Sequence, residues 1–119
     1  MAAFQEVDGD WLLEADNLLV TGFDERLGRR LNAIDGEERW EFSVSDEAAT
    51  GVSSASLRSL VGRKISKAVA LASGELRLEV SGAEVLSFGP REGVEAWQIR
   101  RDGESVLIAG PTGRGLIVF

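Results

Sequence analysis

Trp40-Glu41-Phe42-Ser43-Val44 alternates apolar and polar side chains at every step. A period of two puts Trp40, Phe42 and Val44 on one face of a strand and Glu41 and Ser43 on the other. The pattern returns in Leu76-Arg77-Leu78-Glu79-Val80 and in Trp97-Gln98-Ile99-Arg100. Further strands are read at Leu18–Val20, Leu31–Ile34, Ile65–Leu71, Val85–Phe88, Ser105–Ala109 and Leu116–Phe119. Strands recurring about every eight to twelve residues indicate an all-β sandwich or barrel.

The connections support local hairpins. Arg101-Asp102-Gly103-Glu104 holds an Asp-Gly pair, whose residues tolerate positive φ at the centre of a two-residue turn. Ala72-Ser73-Gly74 joins Ile65–Leu71 to the Leu76 strand, and Ser81-Gly82-Ala83 joins that strand to Val85–Phe88. Consecutive hairpins predict an antiparallel meander. A short helix is expected at Ser54–Val61, where Leu57, Leu60 and Val61 share a face and Ser54 or Ser56 can cap. A second helical piece is expected at Phe23–Arg30, entered through Asp24. The fold class is therefore mostly β: an antiparallel sandwich or partly open barrel built from β-hairpins, with one or two short helical segments.

Residues 28–52 and 62–88 share a layout. Gly28-Arg29-Arg30-Leu31 opens the first and Gly62-Arg63-Lys64-Ile65 the second, and each run ends in an alternating strand. Two similar hairpin units and a chance likeness both fit this pattern. The length of 119 residues suits a single domain, and a chain of this size can bury roughly two-thirds of its unfolded surface.

Composition limits the chemistry. The chain has no Cys, His or Tyr. Serine triads, histidine general bases and thiol nucleophiles are thereby excluded, along with the commonest zinc and iron ligands. No enzymatic activity and no cofactor is expected. The net charge is −7. Residues 1–50 hold 13 acidic and 4 basic side chains, and residues 51–119 hold 7 and 9. An acidic chain repels phosphate backbones, so neither nucleic acid nor an anionic membrane is an expected partner. No apolar run approaches the ~18 residues that span a bilayer. The opening Met1-Ala-Ala-Phe-Gln-Glu-Val-Asp lacks the basic and apolar regions of a secretory signal, which places the protein in the cytoplasm.

Motifs that suggest ligands read better as turns. Gly110-Pro111-Thr112-Gly113-Arg114-Gly115 lacks the lysine and the following helix of a phosphate loop. Asp8-Gly9-Asp10 and Asp35-Gly36-Glu37-Glu38 lack the twelve-residue ligand spacing of an EF-hand loop. Glu92 and Glu95 carry no sign of facing each other as a glycosidase pair would. Trp40 and Trp97 belong to the core. Trp11 borders an acidic N-terminal segment that reads as loose; core packing is its favoured reading and an exposed contact the alternative. With Asp8, Asp10, Glu14 and Asp16 it forms the candidate partner-binding set.

The stretch Gly93-Val94-Glu95-Ala96-Trp97-Gln98-Ile99 resembles a motif, Gly-x-Glu-Ala-Trp, of an uncharacterised family of small bacterial proteins. The likeness covers about residues 60–119, with a looser match through Leu27-Gly28-Arg29 and Trp40-Glu41-Phe42. Val94 stands where that family usually has an aromatic residue. The resemblance implies β structure in the second half and carries no activity. Analogy with small acidic bacterial proteins suggests an immunity-type inhibitor or an accessory subunit.

The leading expectation is a non-catalytic protein-binding module whose acidic face steers it onto a basic partner. The alternatives are a self-assembling structural protein, dimerising through Leu116–Phe119, and a small-ligand barrel lined by Trp and Phe.

Overall fold

The computed structural model describes residues 4–25, 29–44, 54–81, 84–89, 97–109 and 116–118. Among them the chain forms ten strands and one helix: β1 Gln5–Val7, β2 Asp10–Asp24, β3 Arg29–Asp35, β4 Glu38–Val44, α1 Ser54–Arg58, β5 Lys64–Ala70, β6 Leu76–Val80, β7 Glu84–Phe88, β8 Trp97–Arg101, β9 Glu104–Ala109 and β10 Leu116–Val118. All pairings are antiparallel within one sheet, ordered β10-β9-β8-β4-β3-β2-β5-β6-β7, with β1 added beside β2. The sheet does not close into a barrel.

Turn chemistry sets the hairpins. Asp102 and Gly103 have φ of 51° and 81° and join β8 to β9, as their Asp-Gly sequence predicts. Asp8 and Gly9 repeat the arrangement at 52° and 88°, turning β1 back onto β2. The N-terminal segment, expected to be loose, is thus a paired hairpin from Gln5 onward.

β2 organises the molecule. Its 15 residues pair with β1 and β5 at the start, and with β3 and β5 further along. Between Glu14 and Leu18 it bulges, so that four steps on β2 match two on β5. Asp16 and Asn17 are both exposed there, and the buried set passes from Leu13 to Leu18 and Val20. A further irregularity lies between Val20 and Gly22 against β3, and another between Ile65 and Lys67 on β5. Bulges bend strands and increase their twist, and these three fall where the two arms of the sheet meet.

The bending lets one sheet enclose its own core. A flat sheet would hold β8 and β5 about 19 Å apart, four spacings of ~4.8 Å. Instead the Trp97 indole N–H on β8 donates to the Gly74 carbonyl, in the β5–β6 loop, at 2.8 Å. The smallest extent of the molecule is 27 Å, far beyond the roughly 10 Å of one flat layer.

The inner face follows the period-two reading. Trp40, Phe42 and Val44 on β4, Leu76, Leu78 and Val80 on β6, and Trp97 and Ile99 on β8 are all buried. Leu57 of α1 and Leu60 just after it enter the same cluster. The helix expected at Ser54–Val61 is present as Ser54–Arg58, followed by turns.

Of the second expected helix, at Phe23–Arg30, the described residues Phe23, Asp24, Arg29 and Arg30 are strand instead, and residues 26–28 lie outside the described residues. β2 runs on through Asp24 and β3 starts at Arg29, with Phe23 opposite Leu31 and Asp24 opposite Arg30. Sheet pairing satisfies the backbone of these residues and packs Phe23 against the core. A local capping preference at Asp24 does not compete with that. The two stretches noted for their similar layout contain hairpins β3–β4 and β5–β6, which flank β2 on opposite sides.

Candidate functional site

Alternation along β1 and β2 sorts their side chains. Trp11 pairs with Ala70 and Leu13 with Ala68, and both Ala70 and Ala68 are buried. Trp11 therefore turns toward the core, where it packs half-buried against the cluster. Asp10 and Glu14 lie on the opposite face of the strand. Glu14 is exposed and stands in register with Lys67. Asp16 projects from the bulge, and Asp8 stands at the hairpin tip, both exposed. Asp10 has a structural bond: its Oδ1 accepts the Ala72 backbone N–H at 2.8 Å and ties the β5–β6 loop to β2. The candidate set is thus divided. Asp8, Glu14 and Asp16 remain accessible along the outer side of the ribbon, Asp10 is engaged, and Trp11 points inward.

The other end of β2 builds a second feature. Gly22, Phe23, Asp24, Glu25, Asn32 and Arg58 line an open groove of about 700 Å³. Gly22 has no side chain to fill the outer face, and a Cβ there would sit 3.9 Å from the Asn32 amide nitrogen. Arg30 Nη2 donates to Asp24 Oδ2 at 3.2 Å, and its Nη1 lies 4.0 Å from Glu41. Glu25 accepts from Ser54 Oγ at 3.3 Å and pairs with Arg58, which also lies 5.4 Å over the Phe23 ring. These groups are partly exposed, so each pair contributes only about 0–1 kcal/mol. Their main effect is to fix the shape and polarity of the groove.

No sequence signal marked this groove. Glu25 and Arg58 lie 33 residues apart, and only the return of the chain through α1 brings them together. The turn-like stretch 110–115 and Glu92 and Glu95 lie outside the described residues. Among those described, no three carboxylates gather as a metal cluster, and no helix is long and apolar enough to cross a membrane.

The charge is divided sharply. Residues 1–25 contain seven carboxylates, Glu6, Asp8, Asp10, Glu14, Asp16, Asp24 and Glu25, and neither Lys nor Arg. Residues 26–119 contain 13 acidic and 13 basic side chains. The whole net charge of −7 therefore belongs to the segment that forms β1, β2 and the adjoining Glu25.

Fold and surface define a single-sheet, antiparallel β protein with an acidic ribbon along one seam. The chain belongs to a family described as a family of unknown function (DUF6188), whose model matches residues 26–117. No curated protein and no solved structure matches it. The matched segment holds β3 to β9 and all but the last residue of β10, so the acidic ribbon precedes it and the matched part is electrically balanced.

Proposed function

We propose that the protein is a non-catalytic, cytoplasmic binding module of bacterial origin that docks a basic protein through the outer side of the β1–β2 ribbon. Its role is that of an immunity-type inhibitor or an accessory subunit. One observation carries this reading: the entire net charge resides on one ribbon, while the rest of the chain is neutral. A field of that kind accelerates encounter with a surface of opposite sign and weakens as salt screens it, over about 8–10 Å near physiological strength. Asp8, Glu14 and Asp16 supply the accessible carboxylates. The groove at the far end of β2 is open and polar, which suits a protein surface better than an enclosed small ligand.

A ligand-binding barrel has less support. Trp40, Trp97, Phe42 and Phe88, the aromatic side chains such a site would use, are packed in the interior of the sheet at 0–1% exposure.

Salt-graded co-purification from the native cell tests the proposal. A basic protein that is retained at low salt and released as salt rises is the expected result. Elution of the protein alone at every salt concentration, or with a partner indifferent to salt, would contradict it.

A further inference from the structure

The outer face of the sheet is not uniform. On β4, β6 and β8 its positions are polar: Glu41 and Ser43, Arg77 and Glu79, Gln98 and Arg100. β2 breaks this alternation. Trp11-Leu12-Leu13 and Leu18-Leu19-Val20 are unbroken apolar runs, the pattern of a strand covered on both faces. Leu12 and Leu19 sit between inward-turned neighbours and therefore point outward, each half-buried. Leu12 stands opposite Val69 on β5, and Leu19 opposite Ile34 on β3, which is 37% exposed. Measured along β5, from Val69 to Lys64, the two apolar pairs lie five residues apart, about 17 Å. Between them β2 carries Glu14 and the bulge residue Asp16, both exposed. Among the described residues neither carboxylate makes a hydrogen bond or an ion pair. Lys67 stands in register with both Glu14 and Glu79, so a single ammonium faces two carboxylates.

We propose that the basic partner seats two apolar side chains on this stripe, one over Leu12 and Val69 and one over Leu19 and Ile34, with a Lys or Arg between them over the Glu14–Asp16 bulge. This rests on the reading that the ribbon docks a basic protein, and it adds what holds that protein in place. Charge selects the occupant. A second copy of this chain would bring the same carboxylates face to face, since residues 1–25 hold seven and neither Lys nor Arg. A basic surface neutralises them instead. Charge also positions the cation. Lys64 and Arg39 stand at the two ends of the row that contains Leu19 and Ile34, so a partner's cation is repelled there and drawn to the bulge. The two kinds of contact act on different steps. Exposed carboxylates speed encounter and respond to salt, whereas apolar contacts shut off from water slow dissociation.

Two helical peptides of equal charge, titrated against the full chain by fluorescence anisotropy at low and raised salt, test the proposal. One presents Leu, Lys, Lys and Leu at positions i, i+4, i+7 and i+11, which places its leucines about 17 Å apart on one face. The other has Ala in place of both leucines. The wild type should bind the leucine peptide at least roughly tenfold more tightly, and both peptides should weaken as salt rises. The double variant V69T/I34T keeps β-branched side chains in both strands, and circular dichroism confirms its fold. It should lose the leucine preference while binding the alanine peptide as the wild type does. V85T, at an exposed position of β7 away from the stripe, should keep the preference. Equal wild-type affinity for the two peptides overturns the proposal, and salt-dependent binding of both would leave the basic-partner reading standing. If neither peptide binds, that reading falls with it. A leucine preference that V69T/I34T retains or V85T abolishes also overturns the proposal. So does a wild-type dimer in light scattering that V69T/I34T dissociates, because the stripe then belongs to a second copy.

Discussion

The β1–β2 ribbon and the β3–β10 segment meet along one seam but differ in nearly every other respect. The segment is charge-balanced and matched by the family model. The ribbon precedes that match and carries the full negative charge, yet β2 is the strand that joins the two arms of the sheet. The contrast shows how one strand can carry two properties. On its inner side Leu13, Leu18 and Val20 hold the arms together, and on its outer side the carboxylates meet solvent. Period-two geometry keeps the two sets apart, so substitution at alternate positions should separate stability from charge.

The largest effect is expected inside the seam. Leu18→Ala removes a side chain that is 0% exposed and should cost about 2–5 kcal/mol in chemical denaturation. A cost under 1 kcal/mol would mean that β2 is not the strand on which the arms depend.

The two core tryptophans differ in their hydrogen bonding. Trp97 bonds the Gly74 carbonyl across the core, whereas Trp40 Nε1 is buried with no hydrogen-bond partner. Trp97→Phe should therefore destabilise by about 1–3 kcal/mol more than Trp40→Phe, since it strands a buried acceptor. Equal losses, read as shifts in denaturation midpoint, would mean that the cross-core bond has no net weight.

Asp10→Ala removes the acceptor of the Ala72 N–H. The expected cost is about 0.5–1.5 kcal/mol, the net value of an ordinary hydrogen bond. Faster amide exchange at Ala72 should accompany it.

The smallest effect on stability belongs to the outer side. Asp8→Asn, Glu14→Gln and Asp16→Asn should each stay within about 0.5 kcal/mol of the wild type. Asn keeps the positive φ that position 8 needs, and all three side chains are exposed. A large loss from any of them would show that charge and fold are not separable on β2.

Legibility in the sequence followed the same division. The strands of β4, β6 and β8 were readable because alternation runs through them unbroken, from Trp40 to Val44 and from Leu76 to Val80. β2 was readable only at Leu18–Val20. Its bulge shifts the buried positions from Leu13 to Leu18, so no single period spans the strand. The Asp8-Gly9 pair carried the same hairpin signal as Asp102-Gly103. β1 itself has only three residues, all exposed, so no apolar alternation accompanied that signal. Phe23 and Asp24 suggested a helix start because capping chemistry is local, whereas their pairing with Leu31 and Arg30 is tertiary. Among the candidate residues, exposure of Asp8, Glu14 and Asp16 followed from their polarity. The packing of Trp11 against the core agrees with the reading its bulk favoured, whereas the bond from Asp10 to Ala72 depends on the β5–β6 loop, which sequence spacing does not bring near.

Capture with a neutralised ribbon decides whether these carboxylates recruit the partner. The full chain carrying Asp8→Asn, Glu14→Gln and Asp16→Asn together is compared with the wild type for its retained partner, at low salt and in the native cell extract. The variant should keep its fold and lose the basic protein that the wild type holds. Retention of the same protein with the same salt dependence would contradict that recruitment.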